Sequence, residues 1–217
     1  MQLQEIQQLW QQDEILQHLN FQDYRTQIKI LRFLPQQPLA LAEQELYFLL
    51  KGQIKMAHLD EQGKLYIYRY IQGVKVLNLV ACIQKKPLNY HYFAMSAGLF
   101  IHIPQAVFLQ ALEQHAALKL AVINLLSARL WDELEQQRYQ VAANLKQRIA
   151  YQLLVMTQQQ PQPQIKISQQ ELADVLHISR QTLHRQLLEF LQLGFIEWRY
   201  HQVKILNVVG LQQWASL

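Results

Sequence analysis

Residues 165–198 read IKISQQELADVLHISRQTLHRQLLEFLQLGFIEW and contain two helix starts in close succession. Ser168 followed by Glu171 is a capping box, in which each side chain bonds the backbone amide of the other residue. Ser179 is suited to cap a second helix, and His177 with Ile178 makes the turn between the two. This order of cap, short helix, turn and second cap predicts a helix-turn-helix.

The second predicted helix has two chemically different faces. Four leucines fall on one side: Leu183, Leu187, Leu188 and Leu191. The opposite side carries long polar side chains: Arg180, Gln181, His184 and Arg185. A recognition helix has this arrangement, because side chains near its N-terminal end read base edges in the major groove of DNA.

The polar side chains match specific chemical groups on DNA. Arg180 and Arg185 each have paired donors for O6 and N7 of guanine, and Gln181 suits N6 and N7 of adenine. Hydroxyls and amides at helix N-termini suit phosphate. Residues 197–204, EWRYHQVK, predict a two-stranded wing whose basic residues lie near the DNA backbone. The predicted DNA-binding residues are Ser168, Gln170, Ser179, Arg180, Gln181, Thr182, His184, Arg185, Arg199 and Lys204.

Upstream of this region the pattern is different. The segment TQQQPQPQ at 157–164 predicts a linker, because proline ends a helix and the polar run cannot build a core. Between residues 27 and 104, short apolar runs alternate with glycine and proline, which favours an antiparallel barrel or sandwich. Strands are predicted near 28–34, 46–51, 53–59, 64–71, 90–96 and 99–103, with a hairpin loop at 60–63.

Helices are predicted at 1–20 and across 105–156. Within the second region, a seam with three-four spacing is suited to pairing with a second copy of the chain: Leu120, Ile123, Ser127, Leu130 and Leu134. A second apolar stripe faces elsewhere and suits packing on the same domain: Leu118, Val122, Leu125 and Leu126. The alternative to a dimer helix is an ordinary buried helix.

Composition limits the remaining classes. Only 17% of the residues are charged, and the net charge is +4. Residues 165–217 hold five basic and four acidic groups, so DNA affinity must come from local placement and from dimerisation. The single cysteine, Cys82, excludes an intrachain disulfide framework and a Cys-ligated iron–sulfur cluster within one chain. No signal peptide or membrane span is predicted, and a cytoplasmic location is expected.

Taken together, these segments resemble the CRP/FNR superfamily of bacterial transcription regulators. The likeness is strongest over 165–198 and moderate over 46–73. It implies an α+β fold with an N-terminal antiparallel β-roll of double-stranded β-helix or jelly-roll type, a long dimerisation helix and a C-terminal winged helix-turn-helix. These parts would occupy 1–115, 116–137 and 138–217. The implied partners are double-stranded DNA, a second copy of the chain and RNA polymerase.

The resemblance also marks departures. In the family, the positions of Arg180, Gln181 and Arg185 read bases, and glutamate is usual where Gln181 stands, so a different base preference is expected. His177 takes a turn position that glycine often holds, and histidine adopts a positive φ at some cost.

The region of the effector pocket departs further. Cyclic-nucleotide-binding members carry Gly-Glu-Leu for the ribose and Arg-Ser-Ala for the phosphate. Here the aligned positions lack both the carboxylate and the arginine, which predicts a degenerate pocket at Asn78, Leu88, Asn89 and Tyr90 that does not bind cyclic AMP. The effector is therefore unidentified.

Several alternatives stay open. The β-roll could serve only as a scaffold for dimerisation and polymerase contact. A haem or metal ligand role for His91 or His102 is weighed against ordinary strand residues. No catalytic residue, metal site or cofactor is predicted, and a β-barrel metalloenzyme is the rival from another class, although the region has no His-x-His cluster. The net charge of +5 over residues 51–86 favours an anionic ligand, DNA flanks or polymerase, or is solvated surface.

Overall fold

The computed structural model describes residues 3–63, 65–158, 164–199 and 201–216. The chain divides into two compact units, Met1–Ala128 and Arg129–Leu217.

In the described part of the first unit there are eight strands and several short helices. The strands are β1 (Lys29–Phe33), β2 (Pro38–Leu39), β3 (Leu46–Lys51), β4 (Gln53–Leu59), β5 (Leu65–Gln72), β6 (Lys75–Leu77), β7 (His91–Ala94) and β8 (Gly98–Ile103). The helices are α1 (Leu3–Gln12), a 3-10 turn (Leu16–His18), α2 (Phe21–Tyr24), α3 (Leu79–Gln84) and α4 (Gln105–Gln114).

The strands form two antiparallel four-stranded sheets, in the orders β1-β8-β3-β6 and β2-β7-β4-β5. Strand β3 shows why the sheets have two apolar sides, since alternate residues point to opposite faces. Tyr47 and Leu49 join a core cluster with residues of both sheets. Leu46 and Phe48 join a second cluster with the N-terminal segment and α4. The predicted antiparallel β-roll is confirmed.

Helix α5 (Ala116–Ala142) begins in the first unit and ends in the second. The second unit continues with α6 (Leu145–Gln158), β9 (Gln164–Lys166), α7 (Gln169–Val175), α8 (Arg180–Gln192), β10 (Ile196–Arg199), β11 (Gln202–Ile205) and α9 (Val208–Ala215). The three strands found among its described residues form one antiparallel sheet in the order β10-β11-β9.

Most predicted strands lie within two residues of the observed ones, and the hairpin loop is present. The Gly63 amide donates to the Asp60 carbonyl at 3.0 Å, and Gly63 has a φ of +77°. The short strands β2 and β6 and helix α3 were not predicted. Their runs of two to six residues are too short to show a clear period.

The predicted helix at 1–20 is wrong in its length. Helix α1 ends at Gln12, and the Asp13 carboxylate accepts hydrogen bonds from the amides of Ile15 and Leu16, both at 2.9 Å. An aspartate that caps a new turn competes with the continuing helix.

The predicted helical region 105–156 is three helices. His115 separates α4 from α5, and the second break lies at residues 143–144. Asn144 starts α6 through two bonds with Gln147: its amide donates to Oε1 at 2.8 Å, and its Oδ1 accepts from the Gln147 amide at 3.0 Å.

The predicted linker at 157–164 is too long at both ends. Thr157 is buried within α6, and its hydroxyl donates to the carbonyl of Leu153 or Leu154. Gln164 is the first residue of β9. The remainder of that prediction, 159–163, lies outside the described residues.

Candidate nucleic-acid interface

The first helix of the predicted motif starts with the expected capping box. The Glu171 amide donates to Ser168 Oγ at 3.1 Å, and the Ser168 amide donates to Glu171 Oε2 at 2.7 Å. Leu172, Ala173 and Leu176 are buried on the inner side of α7. The box fixes the start of this helix and satisfies two amides that have no partner within it.

His177 makes the turn with a positive φ. Its φ is 54°, and the amide of the next residue, Ile178, donates to the Ala173 carbonyl at 3.0 Å. A side chain in the left-handed region is unfavourable for most residues but tolerated by histidine. The predicted turn is confirmed, with histidine where glycine is common.

Ser179 caps the second helix, α8. Its Oγ accepts from the Thr182 amide at 3.0 Å and lies 2.8 Å from the Thr182 hydroxyl. The predicted polar side chains Arg180, Gln181, His184 and Arg185 are all exposed. The helix therefore presents a continuous row of hydrogen-bonding groups at its N-terminal end.

The inner face of α8 differs from the prediction at two positions, Leu188 and Phe190. Leu183 and Leu187 are buried, but Leu188 is 45% exposed, and Phe190 is fully buried. Phe190 packs against Trp214 with ring centroids 5.2 Å apart, and Trp214 contacts Phe195 at 5.5 Å. Trp214 lies 24 residues further along the chain, so helical spacing could not identify Phe190 as the anchor.

Two glutamines at the start of α7 have different partners. Gln170 Nε2 donates to Asp174 Oδ1 at 2.8 Å. Gln169, which the sequence did not single out, has its Oε1 3.2 Å from Nδ1 of His184 on α8. Only the packing of α7 on α8 brings these two residues together.

The two predicted wing strands are present as β10 and β11, and β9 pairs with β11 as a third strand that the wing prediction did not include. Strands β10 and β11 pair with Glu197 opposite Lys204 and Arg199 opposite Gln202. Arg199 donates from Nε to Glu197 Oε1 at 2.8 Å, while the Lys204 side chain is exposed. Glu197 bonds Arg199 and also lies across the strand pair from Lys204, so its carboxylate reduces the positive field at both cations of the wing.

Two basic residues of α6 form hydrogen bonds with the helix-turn-helix. Arg148 Nη2 donates to the Leu176 carbonyl at the end of α7, at 3.0 Å. Lys146 Nζ donates to Glu189 Oε1 of α8 at 2.7 Å. Both charged side chains therefore make internal contacts that connect α6 to α7 and α8.

In the first unit, the four residues of the predicted degenerate pocket have different surroundings. Asn78, with a φ of 60°, donates from Nδ2 to the Ala42 carbonyl at 3.2 Å and accepts from the Tyr92 hydroxyl at 2.8 Å. Leu88 is 45% exposed, and Asn89 is exposed with a φ of 54°. Tyr90 packs on the inner β-roll cluster and against the Tyr68 ring at 5.3 Å.

His102 contacts a carboxylate that also bonds the start of α4. Its Nε2 lies 3.0 Å from Glu45 Oε2, and the same oxygen accepts from the Gln105 amide at 3.0 Å, at the first residue of α4. His91 is exposed on β7. Across the described part of the chain, no group of three or more His, Cys, Asp or Glu residues is placed to hold a metal ion.

The predicted seam of α5 is exposed along its length. Leu120, Ile123, Leu130 and Leu134 are 53–61% exposed, and Ser127 is exposed between them. The second stripe behaves as predicted, because Leu118 and Val122 are buried in the core and Leu125 and Leu126 pack against it. Val141, seven residues beyond Leu134, continues the seam and is 83% exposed.

Among the described residues, no single helix is both long and apolar enough to span a membrane. Helices α4 and α5 pass that test only as a pair, with a bend of 112° between them.

Comparison with known proteins gives two domain matches. Residues 37–115 match the cyclic nucleotide-binding domain, and residues 147–214 match the Crp-like helix-turn-helix domain. The global nitrogen regulator of Synechocystis sp. is 24% identical over 179 residues, which cover 78% of this chain and 80% of that protein.

Solved structures share the fold. FixK2 from Bradyrhizobium japonicum superposes with a TM-score of 0.74 at 13% identity, over 88% of this chain and 98% of that one. A CRP/FNR-family transcriptional regulator from Thermus thermophilus superposes with a TM-score of 0.66 at 19% identity, over 86% and 98% of the two chains.

Proposed function

The chain belongs to the CRP/FNR superfamily of transcription regulators, and from this premise we propose that it binds a near-palindromic operator as a homodimer. The observation that carries this proposal is the two-sided helix α8. Arg180, Gln181, His184 and Arg185 are exposed on one side, while Leu183 and Leu187 are buried on the other.

The proposal gives base-reading and phosphate-binding roles to different side chains. Arg180 and Arg185 bind guanine in the major groove, and Gln181 binds adenine. Ser168, Gln170, Ser179 and Thr182 lie at or near helix N-termini, where amides and hydroxyls bind phosphate. Lys204 of the wing contacts the backbone beside the helix. The nearly neutral unit thus depends on the placement of a few side chains rather than on net charge.

The homodimer is supported by the exposed seam of α5. Four apolar residues at three-four spacing face solvent, while the opposite stripe of the same helix is buried. Pairing with a second copy would cover this seam, because such spacing is that of a two-stranded coiled coil. Two recognition helices would then read half-sites about one helical turn apart.

The effector of this regulator is not cyclic AMP in our proposal. Leu88 stands where the family places a phosphate-binding arginine, and a leucine side chain cannot neutralise phosphate. The Asn78 amide is already bonded to Ala42 and Tyr92. The β-roll either takes another small molecule or acts only as a scaffold. Either form would act where the DNA is, in the cytoplasm.

Selection of bound sequences from random DNA tests the proposed function. The expected product is a near-palindrome whose half-sites are about ten base pairs apart. Running the selection with and without a metabolite extract separates a sensor, which needs the extract, from a scaffold, which binds equally well in both. Calorimetry with cyclic AMP should show no micromolar binding. Failure to enrich any sequence under either condition contradicts the proposed function.

A further inference from the structure

The contact between Gln169 and His184 determines which hydrogen-bonding group the recognition helix offers at one position. Gln169 Oε1 lies 3.2 Å from His184 Nδ1. Both residues are exposed or half-exposed at the outer surface of the motif, Gln169 on the first turn of α7 and His184 on the second turn of α8. The inference below rests on the proposed function, since it concerns how this surface reads DNA.

A carbonyl oxygen only accepts hydrogen bonds, so the imidazole must donate from Nδ1. A neutral imidazole carries one proton, and the proton on Nδ1 leaves Nε2 without one. We propose that Gln169 is a positioning residue that holds His184 in the Nδ1–H form, so that Nε2 meets the DNA as a hydrogen-bond acceptor.

This form has a consequence for base choice. In the major groove, cytosine presents a donor at N4 and adenine presents one at N6, whereas guanine and the thymine O4 present acceptors. An accepting Nε2 therefore favours cytosine or adenine at its position and disfavours guanine. The neighbours Arg180 and Arg185 donate and favour guanine, so the helix alternates donor and acceptor along one face.

The form of the imidazole is measurable without DNA. Nitrogen NMR of the full-length protein, labelled with ¹⁵N at histidine and held near pH 8 where imidazole is ordinarily neutral, reports which ring nitrogen carries the proton. His184→Ala assigns the signals. We expect Nδ1 to carry the proton in the wild type and Gln169→Ala to lose this preference. A wild-type His184 that is protonated on Nε2 overturns the proposal.

The effect on base choice is measured with a library in which every position of the selected half-site is varied. Gln169→Ala and His184→Ala should each reduce the preference for cytosine or adenine at one and the same position, by about twofold to tenfold, the size of one hydrogen bond. Gln169→Glu should restore the preference, because a carboxylate also accepts from Nδ1–H.

Gln170→Ala is the matched control. Its amide bonds Asp174 rather than His184, so this variant should weaken binding evenly and keep the base preference. If the wild type enriches no DNA sequence, the proposed function fails. If it enriches an operator and Gln169→Ala leaves every base preference unchanged, the role of Gln169 fails while the proposed function stands.

Discussion

Tyr139 near the end of α5 stacks on Tyr151 of α6, with ring centroids 3.8 Å apart and planes inclined by 15°. The stack bridges the break at residues 143–144, and the Arg138 guanidinium lies 5.8 Å from the Tyr139 ring centroid. We expect the pair to contribute about 0.5–1.5 kcal/mol beyond the area that it buries. A double-mutant cycle of Tyr139→Leu and Tyr151→Leu, followed by urea unfolding, measures that coupling energy. A coupling energy of zero would show that the contact between the two rings does not stabilise the fold.

The Tyr151 phenol gives the same pair a pH dependence. Burial raises the pKa of Tyr151, and the neighbouring Tyr139, Glu135 and Asp132 raise it further. A folded-state pKa above the unfolded one adds stability that is present below the unfolded pKa of about 10 and is lost as pH rises through the folded pKa. Tyr151→Phe keeps the ring and removes the ionisation, so its unfolding free energy should fall less steeply above about pH 10. Parallel pH profiles of the two proteins would contradict this assignment.

The residues proposed to read bases and those proposed to bind the DNA backbone should respond differently to substitution. Arg180→Ala and Arg185→Ala should each cost about 1–3 kcal/mol of binding free energy and relax specificity at one base pair. Lys204→Ala should weaken binding evenly across sequences and reduce the slope of affinity against salt by about one. Binding titrations on an operator series at several salt concentrations distinguish the two. Full affinity and specificity in both arginine variants would refute the docking of α8.

The seam of α5 can be tested by charge. Leu130→Glu places a carboxylate in the centre of the proposed contact, where a partner helix would bury it at a cost of several kcal/mol. Sedimentation should therefore change from dimer to monomer. Ala128→Glu adds the same group at an exposed site of the same helix, away from the seam, and should stay dimeric. Identical sedimentation of both variants would mean that the seam is not the contact.

The Cys82 thiol should not react with alkylating reagents in the folded protein. Its thiol is fully buried, and burial, with a smaller effect from Glu45, raises its pKa to about 12. Only the thiolate is nucleophilic, so about one molecule in ten thousand is reactive at pH 8. Iodoacetamide should alkylate the protein only after denaturant is added. Rapid labelling of the native protein would show that the core opens readily.

The helix-turn-helix could be predicted because its signals are local. Ser168 with Glu171, and Ser179 with Thr182, lie within three residues of their partners, so the spacing alone identifies each cap. The same holds for strand β3, where the apolar run at 46–50 is followed directly by Lys51 and Gly52. The break after Gln12 also depends on a local signal, the Asp13 cap, but the apolar spacing on both sides of it favoured one continuous helix.

The contacts that refine the site are not local. Gln169 meets His184, 15 residues away, and Phe190 of α8 meets Trp214 of α9, 24 residues away. Leu188 fits the apolar spacing of its helix as well as Leu187 does, yet α8 leaves it 45% exposed. The spacing of apolar residues predicts which side of a helix faces the core. The neighbouring elements then decide which residue at the edge of that side is buried.

The N-terminal segment determines which fragment of the β-roll half can be isolated as a folded unit. Ile6, Trp10, Ile15, Leu16 and Leu19 are buried in the same cluster as strands β3 and β8, and the Trp10 indole donates to the Leu19 carbonyl at 2.7 Å. The match to the cyclic nucleotide-binding domain begins only at residue 37. A fragment that starts at residue 37 would lose the burial of these five side chains, which stabilises the fold by on the order of 10 kcal/mol. That is about the stability of an entire domain. The transplantable module therefore starts at α1, and a chimera that swaps this half between regulators needs the first helix of its donor.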